Sequence, residues 1–155
     1  MGSSRLMRNV ANVANLSTPL GLLVALATRS RLRRVDGLLV AEGARLRLPA
    51  TALTIGSVVL VPKRTLAEAL ERIPGLLEHE DQHAWQYAYC LGLPFVPAYF
   101  VAAGWSWLRS GDRATANHFE VQAGLELGGY RVGRLRTVRK GLVDLRARLP
   151  WSRGA

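Results

Sequence analysis

The chain has 155 residues, of which 49% are hydrophobic, so it suits one globular domain and excludes a disordered chain. A single cysteine, Cys90, excludes an internal disulfide framework, and its apolar neighbours favour a buried small side chain over a catalytic thiol. The net charge of +10 is uneven, with +6 in residues 1–34, −3 in residues 35–129 and +7 in residues 130–155. Basic ends favour an anionic partner, either phospholipid head groups or nucleic acid.

The N-terminal segment, residues 1–34, has six Arg and no acidic residue. Its apolar run, residues 16–28, is about thirteen residues long, shorter than the ~20 that a transmembrane helix needs. The run imitates a secretory signal, but Pro19 interrupts it and four Arg follow it, which disfavours export. We therefore expect a membrane-surface segment or a docked terminal helix, in a protein that is cytoplasmic and peripheral to the inner face of the membrane.

Residues 35–61 have the composition and alternation of β-strands. The segments are an apolar strand at 37–41, a turn at Glu42-Gly43, an alternating strand at 45–48 and a β-branched strand at 53–61. Within the last strand, Gly56 indicates a bulge or a close backbone approach. The pattern predicts a small antiparallel sheet of two or three strands.

Helical patterns follow the strands. A capping box of Thr65 and Glu68 predicts a short helix over 65–72, and a second helix over 76–91 ends before Gly92. Residues 84–108 carry no charge and are long enough to cross a bilayer, but their prolines argue against one straight helix. We predict a turn at 93–97 and a further helix over 98–108.

Two more helices are predicted towards the C-terminus. One opens at Asn117 and closes at Gly128-Gly129. The other is a basic amphipathic helix over 131–155, in which apolar residues recur at spacings of three and four. No aromatic residue lies between Tyr130 and Trp151, so this tail lacks a base-stacking platform and nucleic-acid binding is disfavoured.

The helix over 76–91 contains an H-E-x-x-H motif, His79-Glu80-Asp81-Gln82-His83. Residues i and i+4 lie on one helix face, so His79 and His83 can share one metal ion. Glu80 lies beside that face, where it can take a proton from a metal-activated water. The motif also occurs by chance on surface helices, so it needs a third ligand from elsewhere in the chain.

A catalytic zinc site takes three protein ligands and keeps one open position. The later candidates for the third ligand are Glu120, His118, Glu126 and Asp112. Glu120 has a competing interpretation, because Asn117 with Glu120 is also a helix-capping pair. Gln86, one turn after His83, is expected to make a supporting hydrogen bond rather than to bind the metal.

The chain resembles the gluzincin metallopeptidases, in which H-E-x-x-H is followed by a distant Glu. It is more similar to small uncharacterised bacterial proteins with H-E-x-x-H-x-x-Q and a later N-x-F-E, here residues 79–86 and 117–120. The resemblance covers about residues 54–130. It implies that Glu120 is the third ligand, with His79 and His83, and that zinc is the cofactor.

These features predict an α+β fold in which a small sheet precedes a zincin-like helical part. Residues 1–34 form a basic segment, 35–130 the metal-binding domain and 131–155 the basic helix. The first functional hypothesis is a zinc-dependent hydrolase, a small metallopeptidase acting on peptides with Glu80 as general base. The alternative is a zinc-stabilised, membrane-peripheral protein without turnover.

Overall fold

The computed structural model describes residues 2–47 and 50–148. Its described elements, in chain order, are α1 (Ser3–Ala14), α2 (Ser17–Ala27), β1 (Arg31–Val35), β2 (Leu38–Ala44), β3 (Leu53–Ile55), β4 (Val58–Pro62), α3 (Leu66–Arg72), α4 (Leu76–Tyr89), α5 (Phe95–Ser110), α6 (His118–Ala123) and α7 (Val138–Arg148). This content of helices around one small sheet confirms the predicted α+β class. The predicted border between residues 34 and 35 falls inside β1.

The sheet has the strand order β1-β2-β4-β3. Two antiparallel hairpins, β1-β2 and β3-β4, meet side by side, and β2 runs parallel to β4 with Val40 opposite Val59. The sequence predicted two or three antiparallel strands, so the fourth strand and the parallel pair are corrections. The parallel pair arises because β4, and not β3, pairs with β2. Residue patterns do not specify which strand of the second hairpin pairs with the first.

The strand boundaries also differ from the prediction. Glu42-Gly43 is not a turn, because both residues lie within β2 and the register shifts between Glu42 and Ala44 as in a β-bulge. The Glu42 carboxylate accepts a hydrogen bond from the backbone N–H of Leu66 at 3.0 Å, which ties the bulge to the start of α3. Residues 45–47 form no strand, and the last residue of that predicted strand, residue 48, lies outside the described residues.

The predicted strand over 53–61 is a hairpin, with a turn at Gly56-Ser57 between β3 and β4. Gly56 has φ +63°, and a Cβ there would lie 2.3 Å from the backbone nitrogen of Thr18 at the start of α2. The predicted close backbone approach at Gly56 is therefore confirmed. It allows α2 to lie directly on the sheet.

The core has two layers, one on each face of the sheet. Alternate residues of β2 and β4 point to opposite faces, which explains why all five residues of β4 are buried. The layer shared with α3 and α4 contains Leu38, Val40, Val59, Val61, Leu66, Ala69, Leu76 and Ala84. The layer shared with α2 contains Ala25, Ala41, Ala44, Val58 and Leu60.

The N-terminal segment forms two helices, of which α1 packs against α4 and α2 against β3 and β4. The buried Arg8 pairs with Asp81 of α4, and Asn12 Nδ2 donates to the carbonyl of Ala84 at 2.8 Å. Of the two expectations for this segment, the docked terminal helix describes α1.

The later helices are shorter or shifted relative to the sequence prediction. Helix α3 has the predicted capping box, with the Thr65 hydroxyl and the Glu68 carboxylate both engaged. Helix α5 begins at Phe95 rather than at residue 98, because Pro97 falls in its first turn, where a backbone N–H has no intrahelical acceptor.

The last two helices also differ. Helix α6 ends at Ala123, before the predicted glycine pair. Helix α7 begins at Val138 instead of residue 131. The residues before it, 130–137, have no regular secondary structure, and Arg136 donates to the carbonyls of Trp107 and Leu108 at the end of α5. Residues 149–155 of the predicted helix lie outside the described residues.

Among the described residues, no single helix has both the length and the apolar character to cross a membrane. Helices α1 and α2 together are long and apolar enough to cross a membrane, but they are bent by 76° at the break between them.

Candidate metal centre

The H-E-x-x-H motif lies on α4, near the middle of the molecule. His79 and His83 are both buried, and their Nε2 atoms face each other at 3.1 Å. One helical turn separates the two residues, so the predicted shared face is the face that points inward. The sequence therefore places two imidazoles at one buried point.

Each imidazole is oriented through its other nitrogen. His79 Nδ1 lies 3.0 Å from the carbonyl oxygen of Gly124, and His83 Nδ1 lies 2.7 Å from Gln86 Oε1. Both partners are oxygen acceptors, so Nδ1 carries the hydrogen in each neutral ring and Nε2 presents its lone pair. This is the orientation of a metal-ligating histidine, which donates its second N–H to a carbonyl or carboxylate.

The end of α6 supplies the acceptor for His79. Gly124 adopts φ +90°, which only glycine takes without strain, and this ends the helix directly after Ala123. The carbonyl of Gly124 then lies 3.0 Å from His79 Nδ1 and also accepts a hydrogen bond from the Gly128 N–H at 3.1 Å. The early end of α6 and the orientation of His79 have the same cause.

Glu120 reaches the same point from α6. Its Oε2 lies 3.1 Å from His79 Nε2 and 3.7 Å from His83 Nε2, and this buried oxygen has no hydrogen-bond donor among the described residues. Its Oε1 accepts hydrogen bonds from the hydroxyls of Tyr99 and, at 3.3 Å, Tyr130. One carboxylate oxygen is thus held by two tyrosines while the other faces the histidines.

The alternative interpretation, in which Glu120 takes part in capping α6, is wrong. Asn117 caps α6 with its own side chain, accepting from the N–H of Phe119 at 3.0 Å. Glu120 takes no part in that cap and is free to face the imidazoles. Asn117 and Glu120 therefore serve the helix and the site separately.

The three inward atoms have the spacing of a ligand set. Atoms bound tetrahedrally at 2.0–2.1 Å from a common zinc would lie about 3.3 Å apart. The observed separations are 3.1, 3.1 and 3.7 Å. Two lone pairs and a carboxylate oxygen would repel one another at these distances unless a cation lay among them, so the residues fit a bound metal ion.

The protonation behaviour of the site agrees with this need for a cation. Burial alone would raise the pKa of the Glu120 carboxyl, but the imidazoles of His79 and His83 outweigh it, so the pKa lies below its ordinary value. Burial alone would lower the pKa of His83, but Glu120 and Glu80 outweigh it and raise it. Without metal, the pocket therefore favours a proton in the position that a metal would take.

The two tyrosines stay neutral and act as donors. Burial, together with the Glu120 charge, raises the pKa of Tyr130 to about 12 and raises the pKa of Tyr99 as well. Arg113 Nη2 lies 3.5 Å from the Tyr130 hydroxyl, and its guanidinium carbon lies 5.8 Å from the Tyr130 ring centroid. These contacts keep Glu120 ionised and fix the direction of its carboxylate.

Glu80 is buried beside the histidines and lines a cavity that His79, His83 and Glu120 also line. Its Oε2 accepts a hydrogen bond from the Thr54 hydroxyl of β3 at 2.6 Å. The predicted general base is therefore oriented by the edge strand of the sheet and stands at the cavity with the three candidate ligands.

That cavity has a volume of about 310 Å³. Its polar wall contains His79, Glu80, His83, Glu120, Arg113 and Tyr130, and the remaining lining residues are Ala50, Ala52, Leu53, Thr54, Tyr87, Phe95, Val96, Tyr99 and Phe100. The mostly apolar wall lowers the effective dielectric constant around the polar groups and so strengthens their electrostatic interactions.

The other candidate ligands lie elsewhere. His118 and Glu126 are exposed, and Asp112 is engaged by Ala114 and Thr115 in a turn. Gln86 makes the supporting hydrogen bond that was predicted for it, and also donates to the carbonyl of Phe119 at 2.9 Å. Cys90, expected to be buried, is only partly buried at the end of α4.

Four further residues line the site and were not predicted from the sequence, namely Thr54, Tyr99, Arg113 and Tyr130. A weak signal was available for Tyr99, because a tyrosine within a long uncharged run needs a partner for its hydroxyl if it is buried. Arg113 and Tyr130 lie in irregular segments that reach the site only through the fold, so their positions carried no such signal.

No family model, curated protein or solved structure matches this chain.

Proposed function

We propose that this protein is a zinc-dependent hydrolase, a small metallopeptidase with a gluzincin-like ligand set of His79, His83 and Glu120. The observation that carries the proposal is the unpartnered Glu120 Oε2, which lies at ligand spacing from two imidazole nitrogens whose opposite nitrogens are already engaged. A structural role alone would not require three acceptor atoms to converge in a buried pocket.

Zinc bound there would act as a Lewis acid and lower the pKa of a water molecule to about 7. Glu80 then takes the proton of the attacking water on its carboxylate and passes it to the leaving amine. The Thr54 hydrogen bond to Oε2 orients that carboxylate and leaves Oε1 to accept the proton. Arg113, which lines the same cavity, supplies N–H donors for negative charge that develops on the substrate.

The sheet supports a peptide substrate. Of the described strands, β3 lies at the edge of the sheet, and Thr54 in its centre contacts Glu80. An edge strand can pair with an extended peptide through main-chain hydrogen bonds. Such pairing would bring the peptide past the general base.

The test is to replace Glu80 with Gln and to measure cleavage of a mixed peptide library together with zinc content. Glu80→Gln keeps the size of the side chain and removes its basicity, so turnover should fall roughly 10²–10⁴-fold while zinc stays bound. The matched control is Glu78→Gln, an exposed carboxylate on the same helix, which should leave turnover unchanged.

Cleavage that survives Glu80→Gln would contradict Glu80 as the base. Zinc-loaded wild type that cleaves nothing in a broad library would instead favour the alternative, a zinc-stabilised protein without turnover, in which the metal ties α4 to α6.

A further inference from the structure

Helix α1 is amphipathic in the opposite sense from the surface helices of a soluble protein. Its polar residues Asn9 and Asn12 point inward and donate to the carbonyls of Gly37 and Ala84 at 2.7 and 2.8 Å, and Asn15, directly after the helix, donates to the carbonyl of Tyr87 at 3.2 Å. The apolar residues of α1 point outward, and each is more than half exposed: Leu6, Met7, Val10 and Val13. A surface helix of a soluble domain turns its apolar stripe to the core instead.

Helix α2 continues this exposed apolar surface. Leu23 and Leu26 are 63% and 76% exposed, and Leu16 and Leu20 recur on the same side at helical spacing. The opposite side of α2 packs on the sheet through Gly21 and Ala25, so the helix is held in place and its outer face has no partner among the described residues.

Further exposed apolar residues lie on the elements that follow α4. Gly92, in the turn between α4 and α5, contacts Asn15 at the bend between α1 and α2, and this turn exposes Leu91 and Leu93. Helix α5 then exposes a further set of large apolar side chains, namely Phe100, Val101, Trp105 and Trp107. Exposed apolar patches that extend over several elements mark a binding surface.

Charge at the end of this surface indicates which occupant it takes. The described residues before Asp36 include no acid, and Arg29 and Arg34 are exposed directly after the apolar stripe of α2, with Arg34 on the α2 face of the sheet. An apolar face with arginines at its end and tryptophans on a neighbouring helix matches the acyl region and anionic head groups of a lipid monolayer.

We propose that α1, α2 and the outer face of α5 seat the protein in one leaflet of a lipid bilayer, with the polar inner face of α1 kept against α4. This differs from attachment by the basic ends alone, because the main contact is apolar and salt screens only the arginine contribution. Phe100 belongs both to this surface and to the wall of the metal cavity, so the cavity would open beside the lipid.

The experiment is flotation of the full-length protein with vesicles of phosphatidylcholine, with and without phosphatidylglycerol. We expect binding to both, stronger with the anionic lipid, and retention on the vesicles in about 1 M salt, where the screening length is ~3 Å. Leu23→Glu and Leu26→Glu should each lower the partition coefficient about tenfold. Val121→Glu is the matched control, because Val121 is a half-exposed apolar residue on α6 and its replacement should leave binding unchanged.

A second measurement does not depend on introducing charge. In a Cys90→Ser background, a polarity-sensitive dye on Leu23→Cys should shift to the blue when vesicles are added, whereas the same dye on Val121→Cys should not shift. Binding that salt abolishes and that Leu23→Glu leaves intact would overturn the proposal in favour of an electrostatic contact. A protein that binds no vesicles but forms a dimer broken by Leu23→Glu would overturn it in favour of a second copy of the chain.

Discussion

Helix α4 contributes to buried polar clusters on two of its sides, and the two clusters differ in whether every buried polar atom has a hydrogen-bond partner. On the side facing α1, Arg8 pairs with Asp81 and Asn12 donates to Ala84, and each of these buried groups has a partner. On the side facing α6, the imidazoles of His79 and His83 meet Glu120, whose Oε2 has no donor among the described residues. A satisfied cluster holds two elements together, whereas converging acceptors without a donor indicate a ligand.

The largest expected effect falls on the satisfied cluster. The Arg8 side chain is fully buried and contacts Asp81, the Gly37 carbonyl and Asn9. Arg8→Ala leaves the Asp81 carboxylate without its partner, so the free energy of unfolding should fall by about 3–5 kcal/mol in chemical denaturation. Zinc content should not change in the folded fraction, because the ligands lie on the other side of α4.

Arg5→Ala is the control for this substitution, since Arg5 lies on the same helix but is only partly buried. It should change stability by less than about 0.5 kcal/mol. A similar loss in both variants would mean that the charge of the segment matters rather than the buried pair.

The next largest effect is expected at the cluster of His79, His83 and Glu120. At a free zinc concentration about 100 times its dissociation constant, the bound metal should add ~2.7 kcal/mol to the stability of wild type. His83→Ala should abolish this zinc-dependent gain, because it removes one of the three proposed ligands. The measurement is the melting temperature with and without zinc, together with the metal content of the purified protein.

His118→Ala is the matched control, because His118 is the exposed histidine of α6. It should keep both the zinc and the zinc-dependent rise in melting temperature. If His83→Ala bound as much zinc as wild type, the site described here would be wrong.

A smaller effect tests the residues that orient the ligands. Gln86 is fully buried and holds His83 Nδ1 at 2.7 Å. Gln86→Leu should weaken zinc binding about 10–100-fold, whereas Gln86→Glu keeps an acceptor and should retain most of the affinity. Gln82→Leu on the same helix is the control, and competition with a chelating dye gives the affinities.

The sequence predicted the local features of α4 and α3 better than the contacts between α4 and α1. The helical period brings His79 and His83 together wherever α4 lies, and the capping box at Thr65 is equally local. Glu120 came from the resemblance to gluzincins, because a ligand more than thirty residues away has no periodic relation to the motif. In the fold, Glu120 Oε2 lies 3.1 Å from His79 Nε2 and 3.7 Å from His83 Nε2.

What the sequence missed depends on tertiary contacts. The pairing of β2 with β4 and the hydrogen bonds of Tyr99 and Tyr130 to Glu120 join segments that share no local pattern. The outward apolar face of α1 was also missed, because an amphipathic pattern defines two faces without showing which is buried. In α1 the asparagines form the buried face, whereas asparagine is a residue that is usually found exposed to solvent.

The smallest effect examines whether the cap of α6 and the ligand it carries are independent. The Asn117 side chain accepts from Phe119 N–H, while Glu120 faces the histidines. Asn117→Ala removes the cap and should lower the free energy of unfolding by about 1 kcal/mol, whereas Asn117→Ser keeps an acceptor and should lose less. Both variants should still bind one zinc per chain, because His79, His83 and Glu120 are unchanged. Loss of zinc in Asn117→Ala but not in Asn117→Ser would show that the cap is required to hold Glu120 in place, and the two roles would then be coupled.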